Sequence, residues 1–204
     1  MAQFLNRLKE SPSQTAGPYI HIGATPNSCG ISGIYAEDLG ARLVNEKTLG
    51  TRITVTGRIV DGTGTPLRDA LIEIWQADST GLYPGHGSGD PNFSGFGRQA
   101  VDGETGIYRF EPIKPGCVPF PDGRMMAPHI SILIFARGIN TGLHTRLYFS
   151  DEAEANRADP VLTRVEHPNR VPTLIAARSE TGGMPAYTFD IHLQGERETV
   201  FLDI

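Results

Sequence analysis

Several things this 204-residue chain lacks narrow its role before anything it contains does. No apolar run approaches the length of a membrane span. The first residues, MAQFLNRLKESPSQ, are too polar for the apolar segment of a secretion signal. Only two cysteines are present, Cys29 and Cys117, with no CxxC pair and no disulfide framework. Free thiols and no leader make a cytoplasmic location the expectation. The net charge is −5, from 18 basic and 23 acidic residues scattered along the chain. Without a Lys/Arg cluster, nucleic acid and membrane surfaces are excluded as partners. There is no glycine-rich phosphate loop, because turn geometry accounts for the glycines of DGTGTP. No Ser or Cys sits in a nucleophile setting, and Glu73 and Asp78 flank Trp75 without the spacing of paired catalytic carboxylates. Internal repeats and low-complexity tracts are missing too.

What is present is turn chemistry: 24 glycines and 15 prolines, punctuating short apolar runs. That composition points to many short strands rather than a helical bundle, in a chain long enough to bury a sizeable core. The chain reads as organised around residues 126–149, MAPHISILIFARGINTGLHTRLYF. Its most apolar part, residues 129–136, is bounded by Pro128 and by Arg137-Gly138 and reads as a buried central strand. A second strand is expected over residues 146–149. Residues two apart on a strand share a face, so His-x-His would grip a metal with both rings. Here the pattern is His129-Ile130-Ser131, and half of that grip is missing.

In chain order, residues 1–11 form a short amphipathic stretch. SPSQTAGPYIHIG, residues 11–23, is held out of regular structure by its prolines and runs extended over a surface; Tyr19 and the alternation Ile20, His21, Ile22 favour docking on a partner. Residues 24–50 read as loops, with one helical turn over 38–44 capped by Asp38. RITVTGRIV and ALIEIWQ alternate apolar and polar residues across a turn, which predicts a hairpin. Residues 78–98 form a Gly/Pro/Asp-rich excursion, 107–112 a strand, and 114–126 an irregular loop. Short helices are expected at 151–158, 161–165 and 171–177, interrupted by prolines. Residues 187–194 form a last clean strand, and 199–202 a short one. The expectation is one all-β domain over residues 1–204, an antiparallel β-sandwich with an extended N-terminal arm. Residues 1–50 would be arm and loops, 51–204 the sandwich core, with the short helices around 151–177.

GRIVDGTGTPLRDALIEIWQAD, DPNFSGFGR, IKPGCVPF, APHISILIFARG and LHTRLYF, in that order, resemble the intradiol ring-cleaving dioxygenases over nearly the whole chain. The resemblance implies a ferric iron held by two tyrosinates and two histidines, ligands suited to that ion, with a catechol chelated on it. At the ligand positions the chain departs from the family. The motif Arg-Pro-x-His-x-His is matched by Met126-Ala127-Pro128-His129-Ile130-Ser131, which keeps one histidine. The tyrosine of Lys-Pro-Gly-x-Tyr-Pro falls at Val118. The second tyrosine should lie in PGHGSG, which holds none, and Tyr83 matches a different family tyrosine.

Val118, His129 and Ser131 are thus vestigial metal-site positions, and no metal is expected on this chain. The resemblance is to the iron-free alpha type of chain, which pairs with an iron-bearing beta chain in an αβ hetero-oligomer. It implies that Fe(III) is bound by that partner, and that this chain walls the partner's pocket for a small aromatic catechol. The wall candidates are Thr15, Gly17, Pro18 and Tyr19, with Arg137 as a contact to the ligand; no catalytic residue is expected in this chain. Each position has a plainer reading. Arg137 serves as a surface ion-pair residue, Gly17-Pro18 as a turn, and His129, His144 and His192 as structural histidines. Two rival functions are a self-sufficient dioxygenase using other ligands and a transthyretin-like β-sandwich binding module without catalysis.

Overall fold

Alternation along the chain turns into strands wherever one face finds a core. The computed structural model describes residues 14–17, 19–85 and 89–203. A short helix α1 (Tyr19–Ala24) precedes strands β1 (Thr54–Val60), β2 (Leu71–Trp75), β3 (Phe96–Ala100) and β4 (Ile107–Phe110). Next come the two-residue strands β5 (Val118–Pro119) and β6 (Met125–Met126), then the central pair β7 (His129–Phe135) and β8 (Leu143–Phe149). Helix α2 (Ala153–Ala158) and two 3-10 segments, Leu162–Arg164 and Pro168–Leu174, lead to β9 (Ile175–Thr181), β10 (Met184–Thr188) and β11 (Ile191–His192).

Nine of these strands form one sheet in the order β11-β1-β10-β9-β8-β7-β2-β3, with β4 also paired to β1; β5 and β6 pair only with each other. The turning point is β9. Ile175 and Ala176 run parallel to Tyr148 and Phe149 of β8, whereas Ala177 to Thr181 pair antiparallel with β10. The two halves meet over a shared core: Val55, Ile59, Tyr108, Phe110 and Ile191 from one, Ile72, Ile74, Ile130, Ile132, Ile134 and Phe149 from the other. This is a sandwich in which each buried aliphatic side chain contributes about 1.5–3 kcal/mol. Its inner face takes the even-numbered residues of β7, so His129, Ser131 and Leu133 lie on the outer face.

The pairings correct several expectations. β1 and β2 do not form a hairpin: β1 pairs antiparallel with β4 and parallel with β10 and β11, while β2 lies between β3 and β7. The sheet is therefore mixed rather than purely antiparallel. Strand β3 falls partly within the segment read as an excursion, and β5 with β6 within the expected loop. Of the expected helix over 171–177, the part from Ile175 onward is strand, because β8 and β10 offer it hydrogen-bond partners.

The expected last strand breaks between Thr188 and Ile191, where the Phe189 amide donates to the Thr56 carbonyl. Gly57 permits that crossing, since a Cβ there would stand 1.9 Å from the Phe189 carbonyl oxygen. Residues 199–202 form no strand, although the Leu202 amide donates to the His144 carbonyl. Tyr19–Ala24 is helical, so the alternation read there is one turn-and-a-half of helix instead. Asp38 caps no helix of its own; its carboxylate accepts from the Asn27 and Ser28 amides at 2.8 and 3.0 Å and pins the 3-10 turn Asn27–Cys29. Hydrogen bonds from two amides and the Ser28 hydroxyl hold its pKa low against the desolvation that opposes them. The amphipathic stretch expected over residues 1–11 lies outside the described residues.

Candidate functional site

Two places on the outer surface of the sandwich hold the residues singled out by sequence, and both are built on β7. At its start, His129 is buried, 1% exposed, beneath the loops and turns that follow β8. Its Nδ1 lies 2.7 Å from the Ala127 carbonyl, which can only accept, so the proton sits on Nδ1 and Nε2 is left as the acceptor. The Tyr83 hydroxyl stands 3.5 Å from that Nε2, at the outer limit of a hydrogen bond. Tyr83 stacks on Trp75 with centroids 5.8 Å apart, and His129 packs against the ring of Tyr148 at 5.7 Å. Burial, helped by the nearby Arg146 cation, depresses the His129 pKa to about 4, so the ring is neutral over the ordinary pH range.

Around this histidine the other family ligand positions hold side chains without ligand chemistry. Val118 is 7% exposed and clusters with Ala77 and Met126, with Tyr83, Phe120 and Val161 packed against them. Ser131 lies between Trp75 on β2 and Arg146 on β8 as their direct cross-strand partner. The position where a second imidazole would bring a neutral donor thus neighbours a guanidinium cation. Of PGHGSG, residues 84–89, where the remaining tyrosine would fall, residues 86–88 lie outside the described residues. Among the described residues, no group of three or more His, Cys, Asp or Glu stands where it could share a metal ion. An apolar plug and a cation do not fit a ferric ion.

Asp159 holds this end together and was not singled out by sequence. Its carboxylate accepts from the amides of Ala127 at 2.8 Å, Val161 at 2.7 Å and Leu162 at 2.9 Å, and from the Tyr148 hydroxyl at 3.3 Å. The signal was present as Asp159-Pro160, a turn-forming pair whose carboxylate can accept from the amides that follow. Arg146 was missed as well. Its sequence signal was the alternation His144, Arg146, Tyr148, three polar-tipped residues on one face of a strand whose other face is core.

The far end of β7 is open. Arg137 follows the strand, with its side chain 81% exposed, and its Nε lies 3.1 Å from Asp69 Oδ2. The arm docks beside it. Thr15 bridges antiparallel to Asn140, its hydroxyl accepts from the Gly138 amide at 2.9 Å, and the Gln14 amide donates to Asn140 Oδ1 at 2.7 Å. The arm therefore has backbone partners in this chain itself. The loop that receives it turns through Gly138 (φ 86°) and Thr141 (φ 63°), and the second is an unusual conformation for a β-branched residue. His21 Nε2 sits 3.1 Å from the Asp69 carbonyl oxygen, and as that oxygen only accepts, the ring nitrogen is the donor. Gly17, His21, Asp69 and Arg137 line one open cavity of about 700 Å³. Tyr19 stands 80% exposed at the start of α1. Of the wall candidates, Gly17 and Arg137 are brought to this cavity, Thr15 buttresses the loop behind it, and Pro18 lies outside the described residues. Asp69 and Asn140 complete the arrangement and were not read from sequence, while His21 was read there only as part of a docking stretch. Cys29 and Cys117 are free and exposed.

A β-sandwich with a buried histidine beside an apolar cluster defines the architecture, and comparison with known proteins supplies the family. The model of the family described as Dioxygenase matches residues 32–195, and the chain belongs to that family, within its iron-dependent intradiol branch. The particular relatives are sharper. The chain is 47% identical to the protocatechuate 3,4-dioxygenase alpha chain of Pseudomonas putida, over 96% of this chain and 97% of that one. It is 35% identical to the protocatechuate 3,4-dioxygenase beta chain of Burkholderia cepacia, over 80% of this chain and 77% of the other. The solved dioxygenase domain of a carbohydrate-binding fusion from Streptomyces sp. SirexAA-E superimposes with a TM-score of 0.56 at 26% identity, covering 94% of this chain and 100% of that domain. Among the described residues, no helix is long and apolar enough to cross a membrane.

Proposed function

We propose that this chain is the iron-free alpha subunit of a protocatechuate 3,4-dioxygenase, completing the substrate pocket of an iron-bearing beta chain. The reaction breaks the bond between the two hydroxyl-bearing carbons of protocatechuate and adds one atom of O₂ to each, opening the ring to 3-carboxy-cis,cis-muconate. The observation that carries this reading is Val118 buried in an apolar plug beside a lone histidine, in a chain that matches an alpha chain along almost its full length. Ferric iron on the partner would supply the activation of the catechol. This chain's part is to bind and orient it.

Arg137 supplies a guanidinium at the mouth of the arm cavity for the anionic substrate. Thr15, Gly17, Pro18 and Tyr19 are the wall residues of this reading, with the arm anchored at Thr15 by its bridge to Asn140. Asp69 holds Arg137 in place until substrate arrives. The same reading takes residues 1–204 as one domain, with Leu43 of the leading segment buried in the core, and places the assembly in the cytoplasm. A transthyretin-like module is set aside because the family match continues to residue 195.

The test is purification of the chain alone and with its beta partner. The chain alone is expected to be colourless, without stoichiometric iron or turnover, and the co-expressed pair burgundy and active. Near-equimolar iron with a tyrosinate charge-transfer band in the isolated chain would overturn the assignment.

A further inference from the structure

A second cavity, of about 590 Å³, lies between the segment following α2 and the C-terminal residues. It has no part in the proposed substrate wall. Arg146 forms its inner side, Arg164 and Arg170 stand on one flank, and Phe120, Val161 and Val200 give it apolar surface. Its size falls within the range of small-molecule sites.

The three arginines are not equivalent. Arg170 is engaged, with its Nη2 3.0 Å from Glu198 Oε1 and further bonded to the Glu198 and Thr199 carbonyls. Arg164 lies over the Phe120 ring at 5.1 Å, and among the described residues no carboxylate is within 4 Å of it. Arg146 is the least satisfied. Its Nε is buried without an acceptor, its Nη1 faces the Met126 thioether at 3.4 Å, its guanidinium lies beside the Tyr148 hydroxyl, and it too has no carboxylate within 4 Å among the described residues. A guanidinium carries five donors, and a half-buried one short of protein acceptors on a cavity wall can take an anion there. Glu166 and Asp203 also line the cavity, but both are exposed and neither reaches Arg146 or Arg164.

We propose that this cavity binds a small aromatic carboxylate, with the carboxylate on Arg146 and Arg164 and the ring against Phe120, Val161 and Val200. The paired oxygens of a carboxylate match the planar fork of a guanidinium, and the apolar walls favour a ring over a bare inorganic anion. The site belongs to this chain alone and is independent of the subunit assignment.

Calorimetric titration of the full-length chain, without its partner, with 4-hydroxybenzoate tests it. One site per chain is expected, weakened at least about tenfold by Arg146→Gln and also by the exposed Arg164→Gln, which bears no load in the core. Arg137→Ala, altering the other cavity, is expected to leave the affinity unchanged. Phenol, which lacks the carboxylate, and inorganic phosphate, which lacks the ring, are each expected to bind at least about tenfold more weakly. No saturable binding, binding insensitive to Arg164→Gln in a folded variant, or phosphate bound as tightly as 4-hydroxybenzoate would overturn the proposal.

Discussion

The two ends of β7 receive opposite treatment from the same fold. Eight residues separate His129 from Arg137, about 26 Å along an extended strand. At the first end the side chain is buried and neutral, packed by Tyr148 and flanked by an apolar plug. At the second it is charged and exposed, ion-paired to Asp69 beside an open cavity. Under the proposed function, the difference is that of a scaffold without metal chemistry at one end of a strand and with a recognition surface at the other. Burial at the closed end contributes stability; exposure at the open end leaves a group available to a ligand.

The largest effect is expected from breaking the closed end. Asp159→Ala removes an acceptor shared by three amides and a tyrosine hydroxyl. Leaving those donors buried and unmet should cost about 3–5 kcal/mol, read as a shift in the denaturation midpoint at unchanged slope. A loss below about 1 kcal/mol would show that the closed end is not held this way.

Next comes the pH dependence of His129. Its pKa is near the usual 6.5 when unfolded and about 4 when folded. Between those values the unfolded chain takes up a proton that the folded chain refuses, so stability rises with pH across that window. Going down from pH 6.5 to pH 4 should therefore remove about 3 kcal/mol. Asp78 and Asp151, whose pKa values are lowered by hydrogen bonds despite burial, lose their contributions only below about pH 4. Chemical denaturation between pH 4 and 7 checks this, and His129→Gln should flatten the profile.

Val118→Tyr places a tyrosine where the resemblance implies a ligand. Overpacking the cluster of Ala77, Met126 and Val118 should cost about 1–3 kcal/mol. Iron content of the isolated chain should stay unchanged, because Ser131 still faces Arg146. The smallest effect belongs to the open end: Asp69→Asn breaks a solvent-screened pair and should change stability by less than about 1 kcal/mol.

Much of this contrast was legible in sequence. The apolar period of β7, the bounding Pro128 and Gly138 and the departures at Val118 and Ser131 needed no coordinates. Partner choice was harder to read. The alternation in residues 54–60 and 71–75 is the same whether the two strands pair or part, and only the distant β4, β10 and β11 decide it. Residues 175–177 read as helix because their strand character comes from neighbours rather than from their own propensity. Arg146 and Asp159 escaped notice because their importance lies in what surrounds them. Asp69 became visible as a partner of Arg137 only once the turn after β1 was folded beside the end of β7.

The central claim is that the open end serves the partner's substrate. It is tested most directly by Arg137→Ala in the reconstituted αβ enzyme, with steady-state kinetics, iron content and a melting curve on the same sample. A charge-assisted contact in a partly desolvated pocket is worth about 1.5–3 kcal/mol, so KM for protocatechuate should rise about ten- to a hundredfold with iron and Tm unchanged. Arg137→Lys should recover part of the loss, keeping the charge without the planar fork. An unchanged KM with a lowered Tm would contradict the account and leave Arg137 as a structural partner of Asp69.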